Sequence, residues 1–226
     1  MSISVSEAVA LRRSVRRFLP DPIPLPTIRR VLEQAMRAPS GGNVQPWNGI
    51  VLTGEPLNAV IAAVLKQVAL GPDAAKPEFP VYPPGMGSPW RDRQITLGKA
   101  LYTALHIERH DMEGRHRQHI ENFRAFGAPV CMFVTIDRAL GPPQWGDVGM
   151  WLQTIMLLLR EQGIDSCAQE AWSAYGRTVR DCLGVGDEKL LYCGLAIGYR
   201  DGGAEVNNFP VPRAPLDEIV TFRGFE

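Results

Sequence analysis

The sequence has no excess charge of either sign, because 24 lysine and arginine residues balance 24 aspartate and glutamate residues. Such a chain presents no field that would attract nucleic acid or an anionic membrane. It also has no long apolar run: the stretch from Met150 to Leu159 is interrupted by Gln153 and Thr154 and ends at Arg160. That stretch is too short and too polar to span a bilayer. We therefore expect neither nucleic acid nor a membrane as a partner.

Cysteine is scarce, and its spacing does not indicate disulfides. The four cysteines form no CxxC pair, and each lies in an apolar run: Cys131, Cys167, Cys182 and Cys193. This pattern is typical of buried, reduced thiols rather than of a disulfide framework. The first residues lack the basic start and apolar stretch of a signal peptide. We therefore expect a cytoplasmic protein.

The common motifs of metal and nucleotide chemistry are also missing. His106 and His110 stand four apart, but Ile107 occupies the position where a zinc protease needs glutamate. We predict no metal site. No strand is followed by GxGxxG, and neither a GxxxxGKS/T nor a GxSxG motif occurs. A chain without a nucleophile, metal or triad suits a protein whose cofactor carries the chemistry.

A concentrated basic segment lies near the start of the chain. Residues 12–18, RRSVRRF, place four arginines and a serine within six positions, and we call this segment the basic knot. A local cationic cluster that contains a hydroxyl suits a phosphate. A helix end with solvated cations would give the same pattern, so both interpretations stay open at this point.

A second segment, residues 39–47 (PSGGNVQPW), follows a predicted helix, and we call it the polar loop. Gly41 and Gly42 permit unusual backbone angles and the close approach of a ligand. Ser40, Asn43 and Gln45 offer hydrogen-bond donors and acceptors. A helix stop followed by a turn would also explain the proline and glycines. Taken together, the basic knot and the polar loop predict a bound phosphorylated cofactor.

Hydrophobic periodicity predicts one domain, residues 1–226, built from helices and strands. We predict helices over 4–12, 27–38, 56–69, 90–110, 114–126, 146–162 and 175–183, and strands over 49–53, 129–136, 165–169 and 190–198. The expected N-cap of the second helix is Thr27. The helix over 146–162 is apolar on nearly all sides, which predicts complete burial and a subunit interface. Residues 71–89, rich in proline and glycine, are expected to form a mobile flap. The apolar tail over residues 207–226 either wraps its own domain or crosses onto a partner, and we favour the partner.

Five segments in order resemble the motifs of the FMN-dependent nitroreductase family. The resemblance covers nearly the whole chain: the basic knot, residues 38–47, residues 122–129 (NFRAFGAP), residues 145–149 (WGDVG) and the closing residues 213–216 with 220–222. It implies an α+β fold with a central, mostly antiparallel sheet flanked by helices, in an intertwined homodimer with two FMN molecules at its interface. It also implies a ping-pong oxidoreductase that uses NADH or NADPH to reduce a nitroaromatic compound through nitroso to hydroxylamine.

The same resemblance implies three groups of FMN-binding residues. The phosphate and the nearby flavin edge would be held by Arg12, Arg13, Ser14, Arg16 and Arg213. The polar loop of the other subunit would reach the flavin through Pro39, Ser40, Gly41 and Asn43. The remaining flavin contacts would be Asn122, Ala168, Gln169, Glu170 and Ala171, with the backbone N–H groups of Glu170 and Ala171 near flavin N5. Many relatives have proline and glycine where this chain has Ala168 and Ala171, and Val211 and Pro212 replace a lysine that some relatives use.

Several aromatic side chains are candidates for stacking on a flat electron acceptor: Phe79, Tyr82, Trp90, Phe126, Trp145 and Trp172. Core packing is an equal interpretation for Phe126 and Trp145. No acid–base side chain is required, since solvent can supply protons to a nitro oxygen. An enone or quinone reductase, a dehalogenase, a flavin-destroying enzyme and a non-catalytic flavin-binding module remain alternatives. The choice between NADH and NADPH and the physiological acceptor also stay open.

Overall fold

Four antiparallel strands form the centre of the fold, in the spatial order β1-β2-β4-β3. The computed structural model describes residues 3–225. Its strands are β1 (Asn48–Thr53), β2 (Val130–Asp137), β3 (Asp165–Gln169) and β4 (Lys189–Gly198). The helices within the described residues are α1 (Val5–Leu11), α2 (Leu25–Ala35), α3 (Gly54–Val68), α4 (Trp90–Ala104), α5 (Met112–Ile120), α6 (Pro142–Glu161) and α7 (Gly176–Leu183). The predicted α+β class is confirmed.

Two apolar cores cover the two faces of the sheet. Strand β2 is buried on both faces, and successive residues of the strand alternate between the two cores. Helices α2 and α6 cover one face, to which β2 contributes Met132 and Val134. Helices α3 and α7 cover the other face, to which β2 contributes Cys131 and Phe133. Apolar runs such as β2 therefore form the interior strands of this sheet.

The basic knot continues the sheet beyond β3. Ser14 forms a parallel bridge with Ser166, and the N–H of Val15 donates to the carbonyl of Ser166 at 3.2 Å. Val15 has no exposed surface, and Phe18 forms an antiparallel bridge with Arg200. The arginines are therefore held by a buried backbone and do not extend from a frayed helix end.

Several predicted helix ends are wrong. Helix α2 begins at Leu25 rather than after Thr27, because Pro24 and Pro26 occupy its cap and first turn, where proline is favoured. It ends at Ala35, helix α4 ends at Ala104 and helix α5 ends at Ile120. Residues 121–127 instead form a 3-10 turn, in which Ala125 and Phe126 have left-handed φ angles of 48° and 54°.

Helix α6 begins earlier than predicted and is less buried. Two prolines at positions 142 and 143 occupy its first turn, so the helix starts four residues before Gly146. Its buried side includes Val148, Ile155 and Leu159, whereas Met150 is 42% exposed. Complete burial is therefore wrong for the isolated chain.

Two further results concern the cysteines and the membrane. Cys131, Cys167 and Cys193 are buried as expected, but Cys182 is exposed because it lies on the outer side of the short helix α7. Among residues 3–225, no helix combines the length and the hydrophobicity needed to cross a membrane.

Candidate functional site

A cavity of about 700 Å³ opens beside the basic knot. It brings together side chains from both ends of the chain: Arg12, Arg13, Ser14, Arg16 and Arg213. The chain segment 206–211 lines the same cavity, and among the described residues no carboxylate lines it. Guanidinium groups and a hydroxyl are the donors that hold phosphate by charge-assisted hydrogen bonds. The donor set therefore fits the phosphate group that the sequence predicts.

The knot side chains also lie against strand β3. The pKa of the Cys167 thiol is raised by burial, and Arg16, Ser14 and Arg12 oppose that rise in part. These three residues therefore lie near Cys167 on the strand. Helix α1 ends where the knot begins, and a capping box closes its other end: the N–H of Glu7 donates to Ser4 Oγ at 3.2 Å, and the N–H of Ser4 donates to the Glu7 carboxylate at 2.7 Å.

A buried acid lies at the start of β3. Asp165 is 3% exposed and forms an ion pair with Arg160 at 2.9 Å and a longer one with Arg200 at 3.9 Å. Burial raises the pKa of Asp165, and Arg160, Arg200 and Arg13 act in the opposite direction. Asp165 is therefore paired inside the protein with Arg160 and Arg200.

Asn207 is a residue of this site that sequence reasoning missed. Its side chain is almost fully buried and bonds the main chain of Arg16, Arg17 and Asp201, and its own carbonyl accepts a bond from Arg13. An asparagine that precedes a proline-rich tail is typical of a loop. The sequence carries no local signal for these contacts, because the chain returns to the knot after about 190 residues.

The carboxyl end of β3 presents main-chain groups. Ala168 and Glu170 are exposed there, while Gln169 is buried between them. Gln169 Nε2 donates to the carbonyl of Asn122 at 2.7 Å, which brings Asn122 to the strand end. A 3-10 turn over Glu170–Tyr175 follows, and the first N–H groups of such a turn have no partner within it. The N–H groups of Glu170 and Ala171 therefore suit the predicted backbone contact.

The carboxyl group of Glu170 lies in a partly desolvated position. Burial raises its pKa, and its charge helps to raise the pKa of Tyr192. Tyr192 in turn packs edge-to-face on Trp145, with ring centroids 5.7 Å apart. Phe79 contacts the same indole at 4.9 Å. A cluster of three aromatic rings, those of Phe79, Trp145 and Tyr192, therefore lies near the carboxyl group of Glu170.

The polar loop is held in shape by a buried carboxylate of α6. The N–H of Gly41 faces Asp147 Oδ2 at 3.3 Å, and the N–H of Gln45 donates to Ser40 Oγ at 3.0 Å. Gly42 and Asn43 both have φ of 57°. The loop does not line the cavity at the basic knot: within one chain Pro39, Ser40, Gly41 and Asn43 lie apart from the phosphate-binding candidates.

Two aromatic candidates are core residues rather than stacking residues. Trp172 has no exposed surface, and it packs edge-to-face on Phe123 and Phe133. Phe126 is 3% exposed in the same core. A ring that is enclosed by protein on both faces cannot stack on a substrate, so stacking is wrong for Trp172. Of the two interpretations that the sequence leaves open for Phe126, the structure supports core packing. The aromatic identity of a residue does not reveal which side of an element it occupies.

The other aromatic candidates lie in and around the flap segment, residues 71–89. Tyr82 is 58% exposed and Trp90 is 62% exposed, whereas Phe79 and Trp145 are partly buried against each other. Glu78, within this segment, attaches it to the rest of the fold. Its carboxylate pairs with Arg138 and, at 3.2 Å, with the buried Arg180.

Comparisons with known proteins give one consistent result. A family model described as the Nitroreductase family matches residues 9–199. A 4-nitrobenzoate reductase from Pseudomonas putida is 38% identical over 218 residues, which are 96% of this chain and 95% of that protein. The crystal structure of an FMN and NADPH-dependent nitroreductase, NfnB from Sphigopyxis sp. strain HMH, is 50% identical with a TM-score of 0.97, covering 99% of this chain and 100% of the other.

A more distant structure agrees with these matches. The FMN-dependent nitroreductase NfnB from Mycobacterium smegmatis, in complex with NADPH, is 33% identical with a TM-score of 0.92. It covers 98% of this chain and 100% of its own. The sequence motifs, the fold and these near-complete matches lead to the same conclusion: the chain belongs to the nitroreductase family.

Proposed function

We propose that this protein is an FMN-dependent oxidoreductase that transfers hydride from NADH or NADPH to a nitroaromatic acceptor in a ping-pong cycle. The observation that carries the proposal is the cavity in which Arg213 joins the arginines and the serine of the basic knot. The relatives that are named as nitrobenzoate and nitrobenzene reductases support the choice of acceptor.

The residues of the knot bind and orient the cofactor. Arg12, Arg16 and Arg213 neutralise the phosphate, and the planar guanidinium fork allows bidentate contacts. The main chain at Glu170 and Ala171 directs N–H donors at the flavin ring, which needs no particular side chain. When it is bound, FMN supplies the two-electron chemistry that this chain lacks.

The acceptor binds over the exposed face of the strand end. The candidates for flat apolar contact with its aromatic ring are Phe79 and Trp145, which pack edge-to-face, and the exposed rings of Tyr82 and Trp90. Each hydride that reaches the acceptor also requires one proton: the nitro group then becomes nitroso with loss of one water molecule, and nitroso becomes hydroxylamine. Water delivers this proton in each step.

We also propose that two copies form an intertwined dimer, with the polar loop of one copy beside the basic knot of the other. The support is apolar surface left open in the single chain: Val5 is 75% exposed, Val9 54% and Phe225 82%, and the outer side of α6 adds Met150. Large apolar side chains that are this exposed often mark a surface that a partner covers. A dimer would bring Pro39–Asn43 to the flavin, which a single chain does not do.

We place the protein in the cytoplasm. The cysteines at positions 131, 167, 182 and 193 are all unpaired, as is usual in a reducing compartment.

The first test is to purify the full chain and release its cofactor by heat. We expect a yellow protein that yields free FMN and that oxidises NADH or NADPH with 4-nitrobenzoate as acceptor. The double variant Arg12→Ala/Arg213→Ala should be mostly apoprotein. A colourless wild type that does not respond to added FMN would refute the proposal, and full flavin content in the double variant would refute the phosphate assignment. Enones and quinones, assayed beside nitro compounds, identify the acceptor class.

A further inference from the structure

We propose that Asn207 is a positioning residue for the cofactor phosphate, and that Arg13 acts through Asn207 rather than on the phosphate itself. The inference rests on the proposed function, since it concerns how the phosphate-binding arginines are held. The inference separates the side chains of the basic knot that bind the phosphate from Arg13, which supports them.

The side chain of Asn207 has both its donors and its acceptor engaged. Its Oδ1 accepts from the N–H of Arg16 at 2.8 Å. Its Nδ2 donates to the carbonyl of Arg17 at 2.8 Å and to the carbonyl of Asp201 at 2.9 Å. These side-chain hydrogen bonds take the place of those that a neighbouring strand would make. They hold the main chain of the basic knot at Arg16 and Arg17 in position.

The main chain of Asn207 fixes a second arginine. Its carbonyl oxygen accepts from the guanidinium of Arg13 at 2.8 Å. A guanidinium with one N–H already engaged by a carbonyl of the protein has fewer donors left for a phosphate. We therefore assign Arg13 to the support of Asn207, and leave the phosphate to Arg12, Ser14, Arg16 and Arg213.

Asn207 also lies near the start of the C-terminal segment that lines the cavity up to Arg213. It ends a 3-10 turn, Glu205–Asn207, in which its N–H donates to the carbonyl of Ala204 at 2.9 Å. The chain then runs along the cavity to Arg213. One buried residue thus joins the basic knot to the segment that carries the distant arginine. Displacement of this residue would move both halves of the cavity relative to each other.

Small displacements matter here because a charge-assisted hydrogen bond depends strongly on distance and angle. Removal of the Asn207 side chain leaves the part-buried N–H of Arg16 without an acceptor, so the knot must shift to reach water or another group. The carbonyls of Arg17 and Asp201 keep one donor each, from the main chain at 3.0 and 3.3 Å. The shift would weaken phosphate binding but leave the flavin ring site at Glu170 intact.

The test compares FMN with riboflavin, which has the same ring system but no phosphate. The full chain is stripped of flavin, and the dissociation constants of both ligands are measured by fluorescence titration for wild type and Asn207→Ala. A general loss of folded protein weakens both ligands equally, so the ratio of the two constants isolates the phosphate. We expect the preference for FMN to fall about tenfold or more, which corresponds to about 1.4 kcal/mol.

Thr53→Ala is the control. The Thr53 hydroxyl donates to the carbonyl of Pro129 at 2.8 Å, and Thr53 does not line the cavity at the basic knot. This variant should keep the wild-type ratio even where it lowers stability. Arg13→Ala should lower the ratio less than Arg16→Ala does.

The outcomes separate this inference from the proposed function. A wild type without a preference for FMN over riboflavin removes the phosphate site and the inference together. A wild type that prefers FMN, with the same preference in Asn207→Ala, overturns the inference alone. If Asn207→Ala does not fold, Asn207→Ser carries the same test, and an unchanged ratio in that variant has the same meaning.

Discussion

The substitution Gly194→Ala tests how the core supports the strand end. Gly194 pairs with Gln169 across β4 and β3, and a Cβ atom at this position would lie 2.5 Å from Cδ1 and 2.8 Å from Nε1 of Trp172. The indole has no exposed surface and packs on Phe123 at 5.6 Å and on Phe133 at 5.1 Å. It cannot move aside without disturbing these rings.

Overpacking of this kind costs about 1–3 kcal/mol of unfolding free energy. The upper part of that range applies here, because the ring is enclosed on all sides and its Nε1 donates to Gln169 Oε1 at 3.3 Å. Movement of the ring would also release Gln169, and with it the contact to Asn122 at the strand end. We therefore expect weaker FMN binding as well as lower stability.

The assay is urea unfolding followed by circular dichroism at a fixed protein concentration. Gly98→Ala is the control, since nothing lies within 4 Å of the added Cβ and the position is helical. Alanine there should raise the unfolding free energy, by up to about 1 kcal/mol. In a Trp172→Leu background, Gly194→Ala should cost less than it does in wild type. Wild-type stability of the single variant, or strict additivity in the pair, would refute the reasoning.

Three further outcomes are expected. Asp147→Ala removes the acceptor of the Gly41 N–H, so FMN affinity should fall severalfold in a fluorescence titration, and an unchanged affinity would show that the polar loop does not need this anchor. Glu78→Gln leaves the buried Arg180 with one carboxylate fewer, which should lower the unfolding free energy by about 1–3 kcal/mol, and a thermal unfolding midpoint equal to wild type would contradict it. Burial raises the pKa of Glu170 above its usual 4.5, so its contribution to stability is present below pH 4.5 and is lost as the pH rises through the raised pKa. Glu170→Gln should remove that decline. If the unfolding free energies of the two proteins, measured in urea, change with pH in the same way, the expectation is contradicted.

Much of the sheet could be predicted from local sequence. The predicted bounds of strands β2, β3 and β4 agree with the observed bounds to within one residue at each end. Short apolar, β-branched runs bounded by turns are typical of strands and seldom form another element. Helix ends were less accurate, because the cap of α2 depends on prolines rather than on Thr27. Which side of α6 is exposed in the single chain cannot be predicted from sequence, because the apolar residues on the exposed side, such as Met150, are as hydrophobic as those on the buried side.

The site was only partly predictable, for a different physical reason. The arginines of the basic knot are adjacent in sequence, so their charge density is visible there. Asn207 is not, because its partners are about 190 residues away and an asparagine has no periodicity to follow. The aromatic side chain of Trp172 makes it a candidate for stacking on an electron acceptor. Its ring nevertheless turns into the core, where Gly194 makes room for it.

Strand β4 connects the two halves of the site, and this connection determines how variants must be interpreted. At Gly194 it accommodates the indole that holds the strand end, and at Gly198 a Cβ would lie 2.8 Å from Phe18 of the basic knot. Packing defects in β4 should therefore weaken cofactor binding without removing a contact residue. Because a ligand that binds only the folded state adds about 2.7 kcal/mol at a hundredfold excess over its Kd, loss of FMN alone would imitate a core defect. Thermal unfolding with and without FMN separates the two causes: variants of Arg12 or Arg213 should differ from wild type only when FMN is present, whereas Gly194→Ala should be less stable in both conditions.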